Sequence, residues 1–219
     1  MKGIVMWDLN GCLVHNNKSL GTGDLPEGYG TPEDAVRAFD ADVLPKAYYL
    51  TCKDDIVWID GALDALKMIT EAERQQVIIT NQEQIGLAII SVSEWTELSL
   101  YVDSQIKDAG GYIWDTYTCP HAPGDNCMCR KRSVNPGLRM FYKCAFDLKV
   151  NLYDCWMVGD NISDMVSGKA AGCRTIMVKT PKVYPQDMID KYVDVLADDA
   201  LEAAEIIVEG KYPDLFQKE

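Results

Sequence analysis

The sequence lacks both a long apolar run and an excess of positive charge. No segment approaches the roughly 18 consecutive apolar residues that a membrane-spanning helix needs. Lysine and arginine number 21 against 34 aspartates and glutamates, which gives a formal net charge of -13. Because such a chain repels polyanions at long range, non-specific binding of nucleic acid is disfavoured. We therefore expect neither a membrane nor a nucleic acid as a partner.

The sequence also lacks a recognisable secretion signal. Its first residues, MKGIVMWDLNG, place Asp8 and Asn10 where a signal peptide has its apolar centre. We therefore expect a cytoplasmic protein, and a monomer is the default expectation for its oligomeric state.

Length and composition indicate one globular domain. The chain has 219 residues, of which 47% are hydrophobic and 25% charged, as in average globular proteins. Residues 15–55 have weak periodicity and many glycines, prolines and aspartates, which predicts a long loop or small insertion. A second loop, at 119–129, is rich in Cys, Pro and Gly. The expected organisation is a single domain over residues 1–219 that carries these two loops.

Short apolar runs alternate along the chain with segments of helical periodicity. The predicted strands are 3–7, 77–80, 112–117, 155–158, 174–178 and 193–196. The predicted helices are an apolar series over 63–69 capped by Asp60, followed by 83–109, 136–146, 162–171 and 200–208. This alternation indicates βα units, a mainly parallel sheet and a doubly wound α/β fold.

Polar side chains follow several of the predicted strands. They are Asp8 and Asn10 after the first, Thr80 and Asn81 after the second, Arg130 and Lys131 some way beyond the third, and Asp160 and Asp164 after the fourth. In parallel α/β folds, ligands bind at this carboxyl edge of the sheet. Carboxylates there suit a hard cation such as Mg2+, and a lysine and a hydroxyl suit phosphate oxygens. The set therefore indicates phosphoryl transfer in which a carboxylate attacks phosphorus.

Three of the eight cysteines lie close to one of only two histidines. The pattern is C-x-H, then five intervening residues, then C-x-C, and it comprises Cys119, His121, Cys127 and Cys129. A disulfide framework is one interpretation of an even cysteine count, but a C-x-C pair is too close for relaxed disulfide geometry. Four such ligands without an open position suit a structural, tetrahedral zinc ion.

Four segments of the sequence, taken in order, resemble the four motifs of the haloacid dehalogenase (HAD) superfamily of phosphatases. They are WDLNGCLV at 7–14, IITNQ at 78–82, CRKR at 129–132 and MVGDNISDMVSGKAAG at 157–172. Within the superfamily, TNQ and the loop CPHAPGDNCMCRK resemble the small histidinol-phosphate and heptose-bisphosphate phosphatases. The resemblance covers residues 3–14 and 55–180, and it implies a domain without a large cap.

The resemblance implies catalytic and metal-binding roles at the matching positions. Asp8 would be the nucleophile that forms an aspartyl-phosphate. Asp8, Asp160 and the backbone carbonyl of Asn10 would hold Mg2+. Thr80 would bond a phosphate oxygen, and Lys131 would stabilise the transferring phosphoryl group.

The resemblance also implies roles around this centre. Arg130, Asn81 and Asn161 would take part in binding substrate. Asp164 would orient neighbours such as Lys131 rather than bind metal directly. The loop at 119–129 is similar to the metal-binding loop of the heptose and histidinol phosphatases, where zinc would shape the mouth of the pocket without doing chemistry.

Asn10 departs from the motif, which has Asp-x-Asp where this chain has Asp8-Leu9-Asn10. In the family the second carboxyl protonates the leaving group and then activates the hydrolytic water. An amide can do neither, because it does not titrate in this range. Three explanations are open: an engineered Asp-to-Asn change, a natural enzyme that needs no acid or is slow, and a catalytically weak relative that binds a phosphorylated ligand.

The expected function is hydrolysis of small phosphate monoesters with Mg2+, with a sugar bisphosphate or a histidinol-phosphate-like metabolite as substrate. One alternative is a phosphatase of nucleic-acid 3'-ends, which would need a basic, aromatic-rich groove that the composition does not indicate. The other alternative is a phospholigand-binding module, which Asn10 would explain.

Overall fold

The computed structural model describes residues 3–16, 49–180 and 182–210. Its strands are β1 (Val5–Trp7), β2 (Val14–Asn16), β3 (Ile56–Trp58), β4 (Gln76–Asn81), β5 (Thr116–Cys119), β6 (Trp156–Gly159), β7 (Arg174–Val178) and β8 (Val195–Ala197). Its α-helices are α1 (Ala62–Glu71), α2 (Val92–Asp108), α3 (Arg139–Leu148), α4 (Ile162–Ala171), α5 (Gln186–Tyr192) and α6 (Ala200–Glu209).

A six-stranded parallel sheet forms the centre of the molecule, in the order β5-β4-β1-β6-β7-β8. Strand β1 is paired on both sides, so that Trp7 lies opposite Ile78 of β4 and Val158 of β6. The chain builds outward from β1 to β5 on one side and then returns to β6 on the other. The carboxyl end of β1 is therefore a topological switch point, where such sheets have their ligand crevice.

Alternate residues of the sheet are buried in two separate cores, one on each face. Val5 and Trp7 of β1 pack with α1, α2 and α6, while Ile4 and Met6 pack on the opposite face with α3 and α4. This division follows from the two-residue period of a strand. Helices cover both faces, so the predicted doubly wound α/β fold is confirmed.

Several element boundaries differ from the prediction. Helix α1 begins after Gly61, not at Asp60, because Gly61 takes up the left-handed conformation that turns the chain into the helix. Residues 83–90 form turns, and α2 begins only after Ser91, whose side chain accepts a hydrogen bond from the Glu94 amide in a capping box. The strand predicted at 112–117 is observed later in the chain, as β5 at Thr116–Cys119. Helix α5 was not predicted from the sequence.

The two ends of the predicted insertion at 15–55 contact each other. Strands β2 and β3 pair antiparallel, and the Asn16 side chain donates a hydrogen bond to the Tyr49 carbonyl at 2.6 Å. The rest of that prediction, at 17–48, lies outside the described residues. None of the helices in the described part of the chain is both long and apolar enough to cross a membrane.

Helix α3 offers a test of the packing, because it carries one buried and one exposed phenylalanine. Phe141 is fully buried in the core beneath the sheet, whereas Phe146 is 83% exposed. Phe141→Ala should lower the free energy of unfolding by about 3–5 kcal/mol, since it leaves a cavity in a close-packed core. Phe146→Ala should change it by less than about 0.5 kcal/mol. Urea denaturation of the two variants measures the difference, and equal stabilities would contradict the helix orientation.

Candidate active site

A buried lysine joins the end of β1 to two other elements. The Nζ atom of Lys131 lies 2.6 Å from Oδ1 of Asp8 and 2.7 Å from Oδ1 of Asp164, and it donates to the Ile79 carbonyl at 2.6 Å. An ammonium group has three donors, and these contacts use all three. Lys131 is only 2% exposed, so its charge is held among acceptors rather than in water.

The crowding of carboxylates shifts the pKa values of this group. Burial and the nearby charges of Asp164 and Asp160 raise the pKa of Asp8 to about 7, although Lys131 opposes the shift. Burial by itself would lower the pKa of Lys131, but the carboxylates of Asp164 and Asp8 raise it above its ordinary value. Lys131 is therefore a permanent cation, and the acidic groups around it repel one another.

Asp160, at the end of β6, completes a set of three carboxylates that can hold a metal ion. Oxygens of Asp8, Asp160 and Asp164 lie within 4.8 Å of one another. Within the described residues, the buried Oδ1 atom of Asp160 has no hydrogen-bond partner, while Oδ2 lies 2.5 Å from Nζ of Lys182. A buried carboxylate oxygen without a donor fits a cation ligand, and hard oxygen ligands fit Mg2+.

The turn after Asp8 brings the backbone against this carboxylate. Gly11 has a φ angle of 89°, and a Cβ atom there would lie 2.5 Å from Oδ2 of Asp160. Glycine is therefore required at this position, both for the backbone conformation and for the close approach.

These side chains line an open cleft of about 140 Å³ at the carboxyl edge of the sheet. Its walls are Asp8, Asn10, Asn81, Glu83, Arg130, Lys131, Asp160, Asn161, Ser163, Asp164 and Lys182. That volume is larger than the volume of several water molecules, so the cleft can accommodate a phosphoryl group. The structure therefore brings together all but one of the residues that the sequence places at this edge.

Thr80 is the exception. It is fully buried and is not among the residues that line the cleft. Its hydroxyl accepts a hydrogen bond from Gln82 at 2.9 Å, and Gln84 in turn donates to Gln82. The hydroxyl therefore belongs to a buried row of polar side chains behind the cleft wall.

Asn81 fixes the position of the segment that carries Lys131. Its side chain donates to the Lys131 carbonyl at 3.0 Å and accepts from the Lys131 amide at 3.1 Å. One amide side chain thus satisfies both backbone polar groups of Lys131 and attaches this segment to the end of β4.

Arg130 connects the cleft to the loop at 119–129. Its guanidinium pairs with Glu83 at 2.9 Å and donates to the His121 carbonyl at 3.1 Å. Both partners are largely buried, so the ion pair is a fixed part of the wall. The Nε atom of Arg130 is buried without a hydrogen-bond partner among the described residues.

The four predicted zinc ligands converge in this loop. The Sγ atom of Cys119 lies 3.8 Å from that of Cys127, 3.2 Å from that of Cys129 and 3.5 Å from Nδ1 of His121. Ligands around a tetrahedral zinc ion with bonds of 2.0–2.3 Å are separated by about 3.3–3.8 Å. All eight cysteines are free thiols, and the four-ligand set fits a tetrahedral metal ion of the soft-ligand type.

Comparison with known proteins places this geometry in a family. The family model described as HAD-hydrolase-like matches residues 135–203. D-glycero-beta-D-manno-heptose-1,7-bisphosphate 7-phosphatase of Neisseria meningitidis serogroup A is 31% identical over 129 residues, which cover 59% of this chain and 67% of that protein. The enzyme of the same name from Pasteurella multocida is 31% identical over 61% of this chain and 74% of its own length. The chain belongs to the HAD superfamily of phosphatases.

Solved structures agree on the fold of this HAD phosphatase. The D,D-heptose 1,7-bisphosphate phosphatase from B. bronchiseptica, solved with magnesium and phosphate, superimposes with a TM-score of 0.67 at 21% identity, over 96% of this chain and 99% of that one. A HAD-like phosphatase structure from Mesorhizobium loti has a TM-score of 0.66 at 18% identity, over 97% and 88% of the two chains.

Three residues that line the cleft of this HAD phosphatase were not predicted from the sequence, namely Glu83, Ser163 and Lys182. Glu83 pairs with Arg130, and Lys182 pairs with Asp160. Lys182 lies four residues beyond the end of β7, so the rule that polar residues after strands converge would have found it.

Proposed function

We propose that the chain hydrolyses phosphate monoesters of phosphorylated sugars with the help of Mg2+, and that a heptose bisphosphate is the first candidate substrate. The observation that carries the proposal is the buried Lys131, which holds one oxygen of Asp8 at the edge of a cleft. In the same cleft, Oδ1 of Asp160 accepts no hydrogen bond from the described residues. The relatives named as heptose bisphosphate phosphatases support the choice of substrate.

In the proposed reaction, Asp8 is the nucleophile. Lys131 holds Oδ1 of Asp8, which leaves Oδ2 to attack phosphorus. The bond from phosphorus to the sugar oxygen breaks as the bond to Asp8 forms. The sugar oxygen leaves with the bonding electrons and takes a proton from water, because the Asn10 amide cannot supply one. Lys131 neutralises negative charge on the phosphoryl oxygens. Water then hydrolyses the aspartyl-phosphate and regenerates Asp8.

Asp8, Asp160 and the backbone carbonyl of Asn10 would hold the Mg2+ ion. When bound, the ion neutralises phosphate charge and orients the ester. Asp164 serves the lysine instead, since its Oδ1 atom is taken by Lys131 and its Oδ2 atom accepts the Asn161 amide at 3.1 Å.

Substrate groups outside the phosphate would contact the rim of the cleft. Arg130, Asn161 and Asn81 all line the cleft. The proposal for Thr80 changes with its position: because it is buried behind the wall, it supports the end of β4, and Asn81 is the β4 residue that faces the cleft.

The proposed role of the Cys/His loop is structural. A zinc ion held by Cys119, His121, Cys127 and Cys129 would fix the loop that leads directly into Arg130. With four protein ligands it has no open position for a water or a substrate.

The substrate proposal is tested with Asn10→Asp beside the unmodified chain. Phosphate release with Mg2+ is measured from heptose bisphosphate, other sugar bisphosphates, histidinol phosphate and a 3'-phosphorylated oligonucleotide. We expect Asn10→Asp to raise kcat by about 10²–10⁴-fold on the best substrate, because it restores a group that can transfer protons.

Other outcomes of this assay identify the alternatives. Equal turnover by both chains would show that the second carboxyl is dispensable here. No turnover by either chain, with phosphorylated sugars bound by both, would favour a phospholigand-binding module, which Asn10 supports. Preference for the oligonucleotide would overturn the sugar assignment.

The nucleophile is tested by Asp8→Asn, which keeps the shape of the side chain but removes its nucleophilic charge. Phosphate release should fall to background, because no other carboxylate in the described residues takes the place of Asp8 beside Lys131 at the end of β1. The matched control is Asp64→Asn on the exposed face of α1, which should retain full activity. Residual activity of Asp8→Asn near that of the control would remove Asp8 as nucleophile.

The metal loop is tested by Cys129→Ser. This variant should lose about one zinc ion per chain and melt at a lower temperature, because the ion stabilises only the folded loop. Cys52→Ser, at an exposed cysteine away from the loop, should retain both zinc and melting temperature. Metal analysis and thermal denaturation give the two readouts. A parent protein that contains no zinc, or that melts unchanged after verified removal of zinc, would refute the assignment.

A further inference from the structure

The loop after β7 places a second lysine in the cleft. Lys182 lines the cleft, its side chain is 26% exposed, and its Nζ atom lies 2.5 Å from Oδ2 of Asp160. Asp160 is 1% exposed, so this carboxylate has almost no access to solvent. A charge so deeply buried needs a partner, and the loop after β7 supplies it.

Lys131 cannot provide that partner as well. Its three donors are used by Asp8, Asp164 and the Ile79 carbonyl. Among the described residues, Asp160 forms its ion pair with Lys182. The three aspartates of the cleft are therefore paired with two lysines from different loops: Asp8 and Asp164 with Lys131, and Asp160 with Lys182.

The two oxygens of Asp160 have different surroundings. Oδ2 is held by Lys182 and packs against the backbone at Gly11, where even a Cβ atom would come within 2.5 Å. Oδ1 is buried and accepts no hydrogen bond from any described residue. Because Oδ2 is held by Lys182, the plane of the carboxylate is fixed, and so is the direction in which Oδ1 points.

We propose that Lys182 is a positioning residue that holds Oδ2 of Asp160 and thereby presents Oδ1 to the divalent cation. The inference rests on the proposed Mg2+ site and extends it to a residue outside the three carboxylates. Partners that orient a metal ligand commonly change metal affinity by about 10–100-fold when they are removed.

The positive charge of Lys182 acts in the opposite direction, which makes the test decisive. A lysine near a cation repels it, so loss of the charge alone would tighten Mg2+ binding. Loss of the orientation would weaken Mg2+ binding. The sign of the change therefore separates a positioning role from a simple electrostatic one.

The experiment titrates Mg2+ alone into the full chain by calorimetry, without substrate, and repeats the titration with Mn2+ by electron paramagnetic resonance. Lys182→Met should weaken binding about 10–100-fold, and Lys182→Arg, which retains charge and donors, should recover part of the loss. The matched control is Lys179→Met. Lys179 lies in the same loop but pairs with the exposed Asp198, so its removal should leave Mg2+ affinity unchanged.

Melting temperatures establish that each variant is folded, and Lys182→Gln replaces Lys182→Met if the latter does not fold. Binding by Lys182→Met that equals or exceeds that of the unmodified chain would overturn the inference while leaving the Mg2+ site intact. If the unmodified chain itself binds no Mg2+, the proposed Mg2+ dependence fails, and the role of Lys182 fails with it.

Discussion

The buried ammonium group of Lys131 is the contact on which the arrangement of the cleft depends. It ties the end of β1, through Asp8, to α4, through Asp164, and to β4, through the Ile79 carbonyl. Removing one partner of a buried ion pair commonly costs about 3–5 kcal/mol, because a charge is left without compensation. Each of the three elements therefore has to keep its position for the lysine to remain charged in the interior. The same requirement places Asp8 where a phosphate ester can reach it, so the stability and the chemistry of the cleft rest on one group.

The segment around Lys131 also explains why the Cys/His loop lies where it does. Asn81 attaches the backbone of Lys131 to β4, and the Arg132 amide donates to the Ser167 hydroxyl on α4 at 3.2 Å. The Arg132 guanidinium reaches back to the Cys127 carbonyl at 3.0 Å. The segment 131–132 is thus fixed to β4 and α4 on one side and to the Cys/His loop on the other. A metal ion among the cysteines would act on the cleft through this short covalent connection, without contacting a substrate.

The sequence was most informative where a local rule and the fold coincide. Buried strands that end in Asp8 and Asp160 could be recognised because apolar runs are short and their carboxyl ends meet at one edge. The four residues that converge in the Cys/His loop could be recognised as a group because they are close in sequence. Lys182 could not be linked to Asp160 by spacing, since 22 residues separate them and only the pairing of β6 with β7 brings them together. The turns at 83–90 were predicted as helix because their composition permits one, and the tertiary structure overrides that preference.

Asn10 differs from its neighbours in being exposed at the mouth of the cleft, while Asp8 and Asp160 are buried behind it. A neutral side chain there affects more than proton transfer. Asp8, Asp160 and Asp164 already lie against only two lysines, and an aspartate at position 10 would add a further negative charge beside them. That charge would draw a divalent cation more strongly and would also repel a phosphate dianion. Because the two effects have opposite signs for cation and phosphate, Asn10→Asp would change the binding of both ligands as well as proton transfer in the proposed reaction.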